Sequence, residues 1–266
     1  MKFKKNEKTA EIVGVSFGDG SLTKRKDNKL RFQMRGNIEE REYYDKHIKP
    51  LFDNSLGTMH IANYSGKKPY YGISSDSQEI CKRLNLLGIP IGPKKELSIP
   101  QWIKQEQGYL RNFLRGIVDT DGSVFCGRDY NYPRKRHGKL RMSIGSTSSI
   151  LISDIGKSLK DFGVHHLILK PYVQKNPAWN KLYKIQIDGP NVDDYVIQIG
   201  FKNIKHISKY KVWKKFGFCP PYTNLNQRNK ILSGKLDPDS FYQDALVCGG
   251  GRAWSNAQIH QHGALG

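Results

Sequence analysis

Two stretches, "IVGVSFGDGS" at residues 12–21 and "LRGIVDTDGS" at residues 114–123, share the pattern Gly–x4–Asp–Gly–Ser, and their last acids, Asp19 and Asp121, stand 102 residues apart. The segments after them are also alike: Lys29-Leu30-Arg31 opens one alternating run and Lys139-Leu140-Arg141 opens the other. A duplication on this scale constrains the fold more than any local signal, because one sequence pattern must close on the same architecture twice. In the first run Leu30, Phe32 and Met34 face one way and Lys29, Arg31, Gln33 and Arg35 the other; in the second, Leu140, Met142 and Ile144 oppose Lys139, Arg141 and Ser143. Period-two alternation predicts half-buried antiparallel strands, here with basic, hydrogen-bonding outer faces.

Each copy continues in parallel. A predicted helix over 38–52 leads to "TMHIANY", "PYYGIS" and a helix through "SQEICKRLNLLG"; a predicted helix over 148–162, capped by Ser148 or Ser149, leads to "HLILKPYVQ", "KLYKIQID" and closing helices. The expectation is an α+β chain of two pseudo-symmetric αββαββα halves, residues 1–107 and 108–217, joined by a Pro- and Gly-bearing connector over 87–109. Their antiparallel sheets form a saddle, with the two glycine-bearing helices packed at its centre. Residues 218–266 have no repeat partner and are expected to be a partly irregular, loosely folded appendage, so truncation after residue 225 should spare activity.

Charge narrows the partner. The 266-residue chain carries a formal net charge of +20, and residues 218–266 hold four basic residues against three acids, so nearly all of the excess lies on the duplicated body. A basic folded body points to a polyanion, most often nucleic acid. Cys81, Cys126, Cys219 and Cys248 are scattered without a CxxC pair, which suits reduced thiols inside a cell. No apolar run approaches a membrane span and the N-terminus turns polar too soon for a secretory signal. The expected setting is intracellular: cytoplasm, nucleoid or organelle matrix.

Acids at the C-terminal ends of two helices are out of place, since that end already carries partial negative charge. In a basic chain, the repeated misplacement suggests a bound cation. Gly14, Gly18 and Gly116, with Ser16 and Thr120, are small enough to let two helix backbones approach and bring Asp19 and Asp121 together beneath a duplex. Two carboxylates there make a site for Mg²⁺, completed by phosphate and water. Asp19 and Asp121, with the preceding Gly18 and Thr120, are the metal-site candidates. Metals shared between carboxylates and scissile phosphates activate water and stabilise the leaving oxygen.

These motifs resemble those of the LAGLIDADG homing endonucleases. "LRGIVDTDG" matches that pattern at Leu114, Gly116, Asp119, Asp121 and Gly122; "IVGVSFGDG" keeps Gly14, Asp19 and Gly20, with Phe17 in place of the first acid. The resemblance covers about residues 8–217 and is to single-chain members with two motifs. It implies that Asp19 and Asp121 bind metal and that Asp119 caps a helix or bonds at the helix interface. It also implies a monomer that cuts both strands of a long, nearly asymmetric double-stranded DNA site in a Mg²⁺-dependent reaction, leaving short 3′ overhangs. Mn²⁺ or Ca²⁺ would substitute for Mg²⁺ in binding. "GPKK" and "KNIKH" occupy places where such enzymes put an active-site lysine, giving Lys94 (with Lys95 as alternate) and Lys205 as the catalytic lysines. The family's water-organising glutamine would fall at Gly36 and Ser146, with Gln33 as a stand-in further along its strand.

Candidate DNA contacts are Lys24, Arg25, Lys26, Arg31, Gln33 and Arg35 in the first half, and Arg128, Arg134, Lys135, Arg136, Lys139, Arg141, Lys184 and Gln186 in the second. Most should touch phosphates, with strand-borne Arg and Gln reading bases. Two other readings stand beside the intron-homing nuclease: an intron RNA maturase or non-cleaving DNA binder of the same fold, and an intein-derived module. Met-Lys-Phe at the start, rather than Cys or Ser, and the lack of a terminal His-Asn argue against the last. His260 and His262 read as incidental.

Overall fold

The computed structural model describes residues 4–67, 69–128, 136–173 and 181–245. Asn6 opens α1 (Glu7–Gly18) with a reciprocal cap: its Oδ1 accepts from Thr9 N at 3.0 Å while Thr9 Oγ1 accepts from Asn6 N at 2.8 Å. β1 (Gly20–Lys24) and β2 (Leu30–Asn37) come next. The single helix expected over 38–52 is instead broken into a 3₁₀ turn (Ile38–Glu40), α2 (Arg41–Tyr43), a π turn (Tyr44–Ile48) and α3 (Lys49–Ser55). Pro50 explains the break, since it has no N–H to continue the ladder and its ring crowds the preceding turn. β3 (His60–Tyr64), β4 (Tyr70–Ser75) and α4 (Gln78–Leu86) complete the first half.

The connector carries a short α5 (Gln101–Lys104) and then the pattern repeats: α6 (Gln107–Asp121), β5 (Gly122–Gly127), β6 (Lys139–Ser146), α7 (Ser149–Asp161), β7 (Leu167–Tyr172), β8 (Leu182–Asp188), α8 (Asn191–Gln198) and α9 (Ile204–Phe216). Ser148 caps α7, its side chain accepting from Leu151 N. Both sheets are antiparallel and have the same order, β1-β2-β4-β3 and β5-β6-β8-β7. They also share a register, since Gly20 pairs with Met34 and Gly122 with Ile144. The alternation holds: Phe32, Met34, Leu140, Met142 and Ile144 are buried.

One apolar core runs through both halves, and its axis is the seam between α1 and α6. A Cβ on Gly14 would stand 2.3 Å from Phe113 O, and one on Gly116 would stand 2.7 Å from Glu11 O. No side chain fits there, so glycine lets the two backbones touch. Phe17, the residue in place of the first acid, packs edge-on against Phe113 at 5.6 Å. At the other end of the seam, buried Glu11 accepts from Arg115 at 2.8 Å and pairs with His47 at 2.7 Å; despite burial, these partners hold its carboxyl below the usual range.

The described part of the appendage is folded. α10 (Leu225–Leu232) lies on α9, where Val212, Cys219 and Ile231 form a second small core. Arg228 is buried, donating to Ser208 Oγ at 2.8 Å and to Thr223 O. Beyond it lies a 3₁₀ segment (Pro238–Ala245). Truncation after residue 225 would therefore remove Arg228 and Ile231 from beneath α9. Cys248, His260 and His262 lie outside the described residues.

Candidate metal centre and nucleic-acid face

Both motif helices end on a carboxylate. Asp19 is half-buried, and burial, then the charges of Asp121 and Glu40, push its carboxyl well above the usual range; a hydrogen bond from Tyr44 and the charge of Lys94 oppose the rise. Asp121 has an exposed surface but stands deep among protein atoms, which push it up to about 6 against the pull of Lys94. The two acids thus share a field, and the charge of the Lys94 ammonium acts on both. Lys94 Nζ donates to Phe17 O at 2.9 Å and Gly18 O at 2.7 Å, so it closes the open carbonyls of α1 while facing both carboxylates. Gly18 is therefore present at the site, with its carbonyl engaged by Lys94. Thr120 turns its hydroxyl back to Gly116 O at 3.0 Å. Lys95 is exposed.

The second half is built differently. Asn203, fully buried, donates through Nδ2 to Asp119 O at 2.8 Å, the carbonyl equivalent to Phe17 O, and to Glu40 Oε1 at 2.8 Å. An amide thus takes the place that Lys94 has in the first half. Lys205 stands two residues on, its ammonium 3.9 Å from Glu40 Oε1. Lys209 donates to Val124 O at 2.8 Å, and burial, with the charges of Lys205 and Arg228, brings it down to about 8.

Asp119 is wholly enclosed. Its Oδ2 accepts from Lys202 N at 2.8 Å, its Oδ1 has no hydrogen-bond partner among the described residues, and burial pushes it up to about 8, so it holds α6 to the start of α9. His206, also buried, is brought down to about 3 by burial and by Lys209 and Lys205.

Sequence reasoning missed Tyr44, which donates to Asp19 Oδ2 at 3.1 Å from the π turn. Gly36 makes room for it: a Cβ there would meet the Tyr44 ring at 2.5 Å. A tyrosine therefore covers the place expected for a glutamine. Glycine at a position aligned with a polar role was the available signal, but the partner depended on the broken helix. Ser146, the matching position, accepts from Ser148 N at 3.1 Å.

The outer sheet faces carry level rows, polar throughout in the first sheet and ending on the exposed Leu167 in the second. Ser21, Gln33, Ser74 and His60 are level in the first sheet; Ser123, Ser143, Gln186 and Leu167 are level in the second. Lys24, Arg25, Lys26, Arg35, Arg128, Lys139 and Lys184 are exposed, and Arg31 and Arg141 partly so. Arg136 points elsewhere: it pairs with Asp239 at 2.6 Å and lies over the Phe218 ring at 4.5 Å, which ties it to the C-terminal segment. Arg134 and Lys135 lie outside the described residues.

Residues 108–209 match the LAGLIDADG-like domain family. Comparison with curated protein sequences gives no match. Among solved structures, a point mutant of I-SmaMI is similar with a TM-score of 0.54 at 13% identity, over 91% of this chain and 99% of that one. I-SmaMI bound to an uncleaved DNA target in the presence of calcium ions gives 0.51 at 12% identity, over 90% and 98%. A variant of I-DmoI in complex with its target DNA and Mn gives 0.50 at 17% identity, over 73% and 93%. At these identities the likeness is one of fold: two antiparallel four-stranded sheets in the homing-endonuclease arrangement.

Proposed function

We propose that this chain, LAGLIDADG-like over residues 108–209 and built on the fold of single-chain, two-motif homing endonucleases, is a site-specific double-strand DNA endonuclease of a mobile intron. The observation that carries the reading is the convergence of the two acid-bearing helix ends, packed so closely that a Cβ on Gly18, next to Asp19, would stand 3.3 Å from Asp121 N. Their oxygens suit a hard divalent cation, and among the described residues no third His, Cys, Asp or Glu joins them, so further ligands would be phosphate and water. The solved relatives bound to DNA with calcium ions or Mn support that choice. When bound, Mg²⁺ would supply Lewis acidity at the scissile phosphate and an acidified water.

The residues of this chain then have separate work. Asp19 and Asp121 would hold the ions, one from each half, so that each strand of the duplex would meet one acid. Tyr44 fixes the orientation of Asp19. Lys94 places a positive charge where negative charge gathers on the phosphate during cleavage, and Lys205 is the nearest lysine in the second half. The basic outer faces of the sheets hold the duplex, Lys24, Lys26 and Lys184 by phosphate contact. A single chain suffices, because the duplication supplies both halves; the products would carry short 3′ overhangs.

The test is to incubate purified protein with a randomised duplex library and Mg²⁺ and to sequence the ends. Uniform staggered cuts at one long sequence are expected. Asp19→Asn and Asp121→Asn should each abolish cutting and leave duplex affinity largely intact; variants that lose affinity but still cut would overturn the assignment.

A further inference from the structure

Among the described residues, an acid stands beside an arginine of the outer face in each sheet, at matching places. β2 pairs with β4 so that Phe32 is level with Ser75, which brings Arg31 alongside Asp76; β6 pairs with β8 so that Arg141 is level with Asp188. Arg31 and Arg141 are equivalent, each three residues before the partner of the first strand glycine, Met34 or Ile144. Both pairs use the same guanidinium nitrogen: Arg31 Nε lies 3.6 Å from Asp76 Oδ1 and Arg141 Nε lies 3.3 Å from Asp188 Oδ1. Each acid is held by a second residue. Arg25 Nη1 stands 3.4 Å from Asp76 Oδ1, and Gln186 Nε2 donates to Asp188 Oδ1 at 3.0 Å and Oδ2 at 2.8 Å. In both ion pairs it is Nε, not a terminal Nη, that stands against the carboxylate.

Exposed ion pairs contribute little to a fold. A carboxylate on a face that meets DNA also opposes phosphate binding, and it half-neutralises the arginine beside it for that task. Two such acids in register therefore serve something other than affinity. An arginine whose Nε edge is drawn to a carboxylate by charge, without a hydrogen bond from Arg31 Nε, turns its two Nη groups outward as a flat fork, which matches the O6 and N7 acceptors of guanine in the major groove. We propose that Asp76 and Asp188 are specificity-determining positioning residues, which aim Arg31 and Arg141 at one guanine in each half-site, equally distant from the centre. This rests on the reading of the chain as a duplex DNA binder, but not on its cutting.

The full-length protein is used in a binding selection on a randomised duplex in Ca²⁺ at fixed salt, with sequencing of the bound fraction. Wild type should select guanine at one position per half-site, placed symmetrically. Asp188→Asn should lower that preference roughly tenfold in one half only, and Asp76→Asn in the other, while affinity for unrelated duplexes rises as an opposing charge is lost. Arg141→Lys and Arg31→Lys should also lose the guanine preference, since an ammonium offers no fork. Melting temperatures should not move, which separates aiming from folding. Unchanged base profiles in the Asn variants, loss of preference at every position, or a wild type with no symmetric guanine pair would each overturn the assignment. A protein that binds no duplex even at low salt would overturn the DNA reading itself.

Discussion

Asp19 and Lys94 make the site lopsided at the scale of single residues. Lys94 caps α1 and faces both acids, whereas Asn203 takes the matching contact in the other half and Lys205 is drawn to Glu40. Lys94→Met should therefore slow single-turnover cleavage on the order of a hundredfold, and Lys205→Met by less than tenfold; equal losses would show that the tie to Glu40 is broken in the working complex. His206 gives a pH test. Its folded-state pKa of about 3 is below the ordinary value, so the unfolded chain takes up the proton first and stability falls as pH drops below about 6.5. Asp119, raised to about 8, works the other way, losing stability as pH rises from its ordinary value towards 8, so wild type alone shows a blunted slope. Measured by urea unfolding, the stability of His206→Asn relative to wild type should shift in the variant's favour by about 2 kcal/mol between pH 7 and pH 5.

Among elements, α10 and the π turn differ most from what the sequence suggests. α10 covers α9 through Ile231, and burial of a side chain of that size is worth about 1.5–3 kcal/mol. A chain ending at residue 225 should melt several degrees below one ending at residue 245, at roughly 2–4 °C per kcal/mol for a protein of this size; coincident melts would show that the segment is dispensable. The alternating strands were legible because a two-residue period allows only one buried face, and Leu140-Met142-Ile144 fills it as expected. The helix over 38–52 was legible as apolar and amphipathic, but its π turn was not. That turn precedes the break in the ladder at Pro50, and its Tyr44 ring fills the space left by Gly36, a contact made only when β2 and the helix pack.

For the whole molecule, the formal charge of +20 predicts binding governed by counterion release. The logarithm of the duplex association constant should fall linearly with the logarithm of salt concentration, and Lys24→Ala should lower the slope by about one if Lys24 holds a phosphate. A flat salt response would count against the basic sheet faces as the binding surface.

By itself the sequence determined the duplication, the place of Asp19 and Asp121 at the ends of two helices and the alternation of the strands, because these arise from local spacing and from the mismatch between acid and helix dipole. Asp119 was separable from Asp121 only by resemblance; the structure encloses it against Lys202 and Asn203. Only the tertiary structure decided that Asn203 rather than a lysine meets the α6 carbonyl of Asp119, that Tyr44 supports Asp19, that Arg136 serves the C-terminal segment and that the segment from Cys219 to Phe241 packs on α9. Each of these is a contact between distant segments, and a contact of that kind is set by the packing of α1 against α6 and of α9 against α10, which no periodicity along the chain encodes.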